Sequence, residues 1–162
     1  MALIVQKYGG SSVSSAERIK AVAARVGKVF DRGDQVVVVV SAMGDTTDDL
    51  IKLAGQVTSD PHPREMDVLL STGELVASTL LAMAIRSLGY KAISLSGAQA
   101  GIKTDTTYRK ARIVKIDPKR ITLELEKGHI VIVAGFQGLQ VILGNRFRDI
   151  VQFLNGCVDA LG

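Results

Sequence analysis

Blocks of apolar residues recur along the chain with two spacings, one of strands and one of helices, and the two kinds alternate. Leu3 to Gln6 is a short strand-like run that breaks at Gly9-Gly10. The Ser14-x-x-Glu17 pattern that follows is a capping box, which satisfies orphan amides at a helix start. It predicts a helix with Ile19, Val22, Ala23, Val26 and Phe30 on one face. Arg32-Gly33-Asp34 then turns the chain into Val36 to Val40, a run of valines with no polar interruption. A strand with one wet face would alternate, so this run predicts a strand covered on both faces in a central parallel sheet.

Beyond it, Thr46 and Thr47 are placed to cap a helix carrying Leu50, Leu53, Ala54 and Val57, and Pro61-His62-Pro63 forces a break. From Glu65 to Leu88 the positions Leu69, Leu70, Leu80, Met83, Ala84 and Leu88 keep helical spacing. The interruption at Thr72-Gly73 predicts two helices meeting there, with Gly73 a hinge or a close contact. Lys91 to Ser96 reads as a strand, Gly97 and Gly101 bracket a loop, and Ala111 to Ile116 reads as another strand. Pro118 to Lys127 is a helix ended by Gly128, and Ile130 to Ala134 is the last buried strand. This alternation predicts a doubly wound α/β fold, a three-layer sandwich with a mainly parallel central sheet, whose ligands lie at the carboxyl ends of the strands.

Composition narrows the function. With 162 residues, 47% of them hydrophobic, the chain can bury one core of ordinary size. Its net charge of +4 is spread without a Lys/Arg block, which suits anionic small molecules as well as nucleic acid. Aromatic residues make up only 4% and Trp is absent, which leaves little for stacking bases and argues against a nucleic-acid partner. The single Cys157 and the start MALIVQKYGG, without a basic leader, lead to an expectation of cytoplasmic residence. No uninterrupted apolar run approaches the roughly 20 residues of a bilayer span, so no membrane partner is expected.

Four segments are candidates for chemistry, each with a plainer reading beside it. Lys7-Tyr8-Gly9-Gly10-Ser11-Ser12 puts glycines and a lysine at a strand end, where amides can approach a phosphate; it is not a Walker A motif, and it also reads as a tight turn with an exposed lysine. Ser41-Ala-Met-Gly-Asp-Thr-Thr-Asp48 offers hydroxyls and amides for a carboxylate, or simply helix capping by Thr46 or Thr47. In Arg64 to Glu74, Glu74 follows a glycine and can meet the amino group of a zwitterion, or it is a first-turn glutamate stabilised by the helix dipole. Gly135-Phe-Gln-Gly138 allows close backbone approach to a ligand or an ordinary turn. His62, His129 and Cys157 lack companions at metal-ligand spacing, so the histidines read as surface residues, Cys157 as a packed thiol, and no metal ligands are assigned.

Taken together and in order, KYGGSS, VSAMGDTTDDL, REMDVLLSTGE, GAQAGI and VAGFQG resemble the aspartate kinase family of the amino-acid kinase superfamily, over residues 1–138. The resemblance implies transfer of the ATP γ-phosphoryl group, with Mg²⁺, to the side-chain carboxylate of L-aspartate, a step towards lysine, threonine and methionine. By the same resemblance, Lys7 stabilises the transferring phosphoryl group and Gly9, Gly10 and Ser11 cradle it. Ser41 lines the site, and Thr47 and Glu74 hold aspartate, with Glu74 facing its ammonium group. The TTDDL and LLSTGE segments argue against related kinases of glutamate derivatives or nucleoside monophosphates.

After Gly138 the resemblance lapses. The family continues into a G-R-G-G-S-D-T-type segment, a nucleotide-binding half and regulatory ACT domains, whereas this sequence has Arg146-Phe147-Arg148 where the glycines are expected. Residues 139–162 are therefore read as a divergent tail, with Ile150, Phe153, Leu154, Cys157, Val158 and Leu161 at helical spacing. On this reading the chain is a shortened kinase with weak or absent nucleotide binding and impaired catalysis. The alternative is a non-catalytic interaction or regulatory protein that forms a homo-oligomer or joins another kinase subunit.

Overall fold

A computed structural model describes residues 1–105 and 113–135. The valine run forms β2 (Gln35–Val40), and its five valines are buried, as an uninterrupted apolar strand requires. On one side of it lies β1 (Leu3–Tyr8) and on the other β6 (Ile130–Ala134), followed by β3 (Ala92–Leu95). All three pairings are parallel, in the order β1-β2-β6-β3.

Alternation along the strands sorts the side chains into two cores. Val36, Val38, Val40, Ile130 and Ile132 pack with α1 (Ala16–Phe30) and α3 (Pro63–Ser87) on one face. Val37, Val131, Val133 and Leu95 pack on the other face with Ile121 and Leu125 of α4 (Lys119–Glu126) and with residues of β4 (Ile102–Thr104) and β5 (Ile113–Ile116), which form an antiparallel pair. The three-layer α/β sandwich is therefore the observed fold, and the strands of its four-stranded sheet all run one way.

Several local expectations need correction. Ser15, not Ser14, caps α1, because its Oγ accepts the Arg18 amide at 3.3 Å. Neither Thr46 nor Thr47 caps α2 (Thr46–Val57); Asp45 holds the cap position without a side-chain bond, and both threonines lie in the first turn. No residue of α2 is buried, and Leu53 and Val57 are 53% and 80% exposed, so its apolar positions do not belong to the core. The Gly97–Gly101 segment is a loop, as expected, and a short strand, β4, follows it from Gly101, whose φ is +82°.

The largest correction concerns α3, which runs unbroken for 25 residues, about 37 Å, through Thr72-Gly73. Gly73 is a close contact and not a hinge: a Cβ there would lie 3.1 Å from the Ala42 Cβ and 3.2 Å from the Thr46 Cγ2. The buried face of α3 carries Gly73, Glu74, Ala77, Ser78, Leu81, Ala82 and Ile85, mostly small residues that let the helix lie close to its neighbours. Leu80, Met83 and Leu88, which keep the helical spacing, are 39%, 60% and 50% exposed. By length and composition α3 could cross a bilayer; here one face of it, with Ala77, Leu81, Ala82 and Ile85, packs in the core with the sheet and α1. The start of the expected strand at Ala111 and the whole of residues 139–162 lie outside the described residues.

Candidate functional site

Three parallel strands end side by side, and the chain bends at each end. After Tyr8 comes Gly9-Gly10, after Val40 comes Ser41-Ala42, and after Ala134 comes Gly135. Backbone bonds stitch the bends together: the Ser41 amide donates to the Tyr8 carbonyl at 3.0 Å, Gly44 to Gly10 at 3.1 Å and Gly135 to Val40 at 2.8 Å. The packing leaves no room for a side chain at position 10, where a Cβ would stand 2.7 Å from the Ala42 carbonyl oxygen. This is the crevice outside the carboxyl ends of the strands that open α/β sheets use for ligands.

The Gly9–Ser12 bend turns its carbonyls towards the protein. Ser12 donates to the Gly9 carbonyl at 2.9 Å, and Ser14 Oγ and Arg18 Nη1 both donate to the Ser11 carbonyl, at 3.2 and 2.6 Å. Arg18 was not among the sequence candidates, because a helix-surface arginine carries no local signal of its long-range acceptor. Lys7 is exposed at the penultimate position of β1, on the sheet face opposite Tyr8.

Glu74 reaches the same edge from α3. Its residue is only 7% exposed, so the first-turn, dipole-stabilised reading is overturned: it sits in mid-helix and faces inward. Burial pushes its carboxyl up to about 8, although an Ala42 amide hydrogen bond and the Lys7 charge both pull it down. The Ala42 amide serves one carboxyl oxygen; Oε2 is buried with no hydrogen-bond partner. Lys7 and Glu74 thus act on each other across the strand ends although they come from opposite faces of the sheet.

Ser41 and Thr47 are half-buried, Ser41 directly after β2 and Thr47 one position beyond the threonine whose methyl packs near Gly73. The structure brings Lys7, Gly9, Gly10, Ser11, Ser41 and Glu74 to one edge of the sheet, with Thr47 in the helix turn that leaves it. Phe136, Gln137 and Gly138 lie outside the described residues, as does Cys157. Two cavities, of about 380 and 330 Å³, lie elsewhere: the first between α2 and the start of α3 around Val57, Pro61 and Met66, the second around Ile19, Met43 and Met83.

His62 keeps its surface reading, whereas His129 is half-buried. His62 is exposed but caps α3, its Nδ1 accepting the Arg64 amide at 3.3 Å. The His129 side chain is 23% exposed, with Nδ1 2.8 Å from Glu124 Oε2. No cluster of three metal-ligating side chains occurs among the described residues.

Residues 2–148 match the model of the Amino acid kinase family. The chain belongs to that family. Among curated proteins of this kind, it is 57% identical to the aspartokinase of Mycolicibacterium smegmatis over 139 residues, covering 86% of this chain and 33% of that relative. It is 58% identical to the aspartokinase of Geobacillus stearothermophilus over the same length, covering 34% of it. The chain thus spans about a third of the aspartokinases it matches. Among solved structures, aspartate kinase from Synechocystis superposes with a TM-score of 0.71 at 43% identity, covering 88% of this chain and 24% of that one. E. coli aspartokinase III in complex with aspartate and ADP gives a TM-score of 0.68 at 17% identity, over 82% of this chain and 40% of that one, which bears on fold alone.

Proposed function

We propose that this chain carries the amino-acid and phosphoryl side of an aspartate kinase-type site, for ATP-dependent phosphorylation of the L-aspartate side-chain carboxylate to 4-phospho-L-aspartate in the cytoplasm. The observation that carries the reading is Glu74: a buried carboxyl group with one oxygen on the Ala42 amide and the other unpartnered, under the charge of Lys7 at the strand ends. An α-ammonium group supplies the donor that Oε2 lacks. The similarity to aspartokinases from M. smegmatis and G. stearothermophilus supports the choice of aspartate among amino acids.

In this reading Ser41 and Thr47 hold the carboxylates of aspartate, and the Gly9, Gly10 and Ser11 amides receive the transferring phosphoryl group. The side-chain carboxylate attacks the γ-phosphorus in line, the bond to the β-phosphate oxygen breaks, and ADP leaves with that electron pair. Lys7 offsets negative charge in the transition state, so positioning and electrostatics do the catalysis without a covalent enzyme intermediate. Mg²⁺, which such transfers use, would be held largely by the phosphates and water and would offset their charge.

Trapping the acyl phosphate with hydroxylamine, with ATP, Mg²⁺ and aspartate present, tests the reading. The expected result is ATP-dependent aspartyl hydroxamate far below that of a full-length aspartokinase, in keeping with the chain spanning a third of such relatives, and lowered by about a hundredfold more by Lys7→Ala, with aspartate affinity within a few-fold of wild type. Equal hydroxamate from Lys7→Ala would sink the role given to that lysine.

A second reading, association of copies of this chain, is favoured by one observation: Val76 and Met83 on α3 are 52% and 60% exposed, and Leu53 and Val57 on α2 are also bare. Sedimentation resolves it, since a monomer at high micromolar concentration removes this reading.

A further inference from the structure

Glu74 has a second consequence, which rests on the aspartate reading above and deepens it. Ionised, the carboxylate would put negative charge on an oxygen enclosed by protein without a donor; protonated, it leaves only a neutral hydroxyl unmet. The surroundings offer little to change that balance. From the β2–α2 connection come the uncharged Ala42 amide and the methyl groups of Ala42 and Thr46 beside Gly73. From β1 comes the charge of Lys7, and among the described residues no other ionic group acts on Glu74.

We propose that Glu74 is a proton-exchanging specificity residue: the free chain holds it as the neutral acid, and an α-ammonium ligand binds by displacing the carboxyl proton to solvent and pairing with the carboxylate so formed. The O–H bond of Glu74 breaks, its electron pair stays on the carboxylate, and a buffer base takes the proton. The ligand keeps its own three N–H bonds. An amino acid then binds with proton release and a deaminated dicarboxylate without it, so the site distinguishes aspartate from succinate by proton stoichiometry as well as by contacts.

The group that titrates near pH 8 fixes the expected size. At pH 7 aspartate binding should release roughly 0.9 proton per site, and affinity should rise close to tenfold per pH unit below about 8 and then level off. Calorimetry of the full chain with L-aspartate and with succinate, in phosphate and in Tris buffer at pH 7, measures this directly. The expected result is a buffer-dependent heat for aspartate, none for succinate, and none for aspartate with Glu74→Gln. Aspartate binding with equal heats in both buffers overturns the proton exchange while leaving the aspartate reading intact. Absence of aspartate binding at any pH overturns both. A readout without substitution is the carboxyl ¹³C shift of labelled Glu74: it should titrate near pH 8 in the free chain and move to the ionised position when aspartate is added at pH 7, and an ionised signal in the free chain at pH 7 also sinks the proposal.

Discussion

At the scale of single residues, Glu74 lowers stability in proportion to its ionisation. Its ordinary value is 4.5 and its folded value about 8, so its contribution to stability is intact below pH 4.5 and is lost as pH rises through 8. Urea unfolding between pH 4 and 9 should show wild type falling behind Glu74→Gln across that window, by a few kcal/mol at the alkaline end. Parallel curves would mean that Glu74 is solvated. Gly101 gives a steric counterpart: with φ of +82° and a Cβ that would stand 1.9 Å from the Asp117 carbonyl oxygen, Gly101→Ala should cost about 2 kcal/mol or more in thermal unfolding. The sequence marked both residues, Glu74 as a candidate and Gly101 as the edge of a loop. It did not indicate the burial of Glu74, because that depends on which way a continuous helix faces, and a helix start had been placed at Gly73.

At the scale of elements, strands were more legible than helix faces. Five adjacent valines can satisfy only a strand covered on both sides, so β2 and the parallel sheet follow from local pattern. In α3 Leu80 and Met83 point outward, while Leu81 and Ile85 are fully buried among the small Ala77, Ser78 and Ala82, so the buried stripe lies one position round the helix from the one that Leu80, Met83 and Ala84 suggest. Periodicity weighted by hydrophobicity selects the wrong stripe in that case. The Gly9–Ser12, Ser41 and Glu74 segments were recognisable as short motifs, whereas the Ala42 amide and Arg18 join the site only through contacts made in the folded chain. The junction of α4 with β6 holds a different device. Glu124 is buried, with Arg120 Nε at 3.0 Å and Lys127 Nζ at 3.2 Å from Oε1 and His129 facing Oε2. Burial raises its pKa, but the Lys127 bond and charge, the Arg120 charge and the His129 bond outweigh it and hold the carboxyl below its usual range. Its stabilising contribution is therefore present above the ordinary carboxylate range and is lost as pH falls through the lowered folded value. Hydrogen exchange at pH 3 to 4 should show the amides of residues 125–130 losing protection before those of β2, and Glu124→Gln should bring that loss to neutral pH. Uniform protection in acid would argue against this local role.

At the scale of the whole molecule, stability should be graded across the sheet. Ile132 lies in β6 and is fully buried, while Ile4 in the edge strand β1 is half-buried. Ile132→Ala should cost about 3 to 4 kcal/mol and Ile4→Ala markedly less, measured by chemical unfolding. Comparable losses would mean that β1 is buried by something beyond the described residues. The sheet order has a further effect during synthesis. β6, the last of the four strands to be made, sits between β2 and β3. While the ribosome is still adding residues beyond position 95, the nascent chain already holds β1, β2 and β3 but lacks the piece that joins them. The inner edge of β2, all valine, waits bare through that interval, and its exposure makes this the stage at which a chaperone has most to protect.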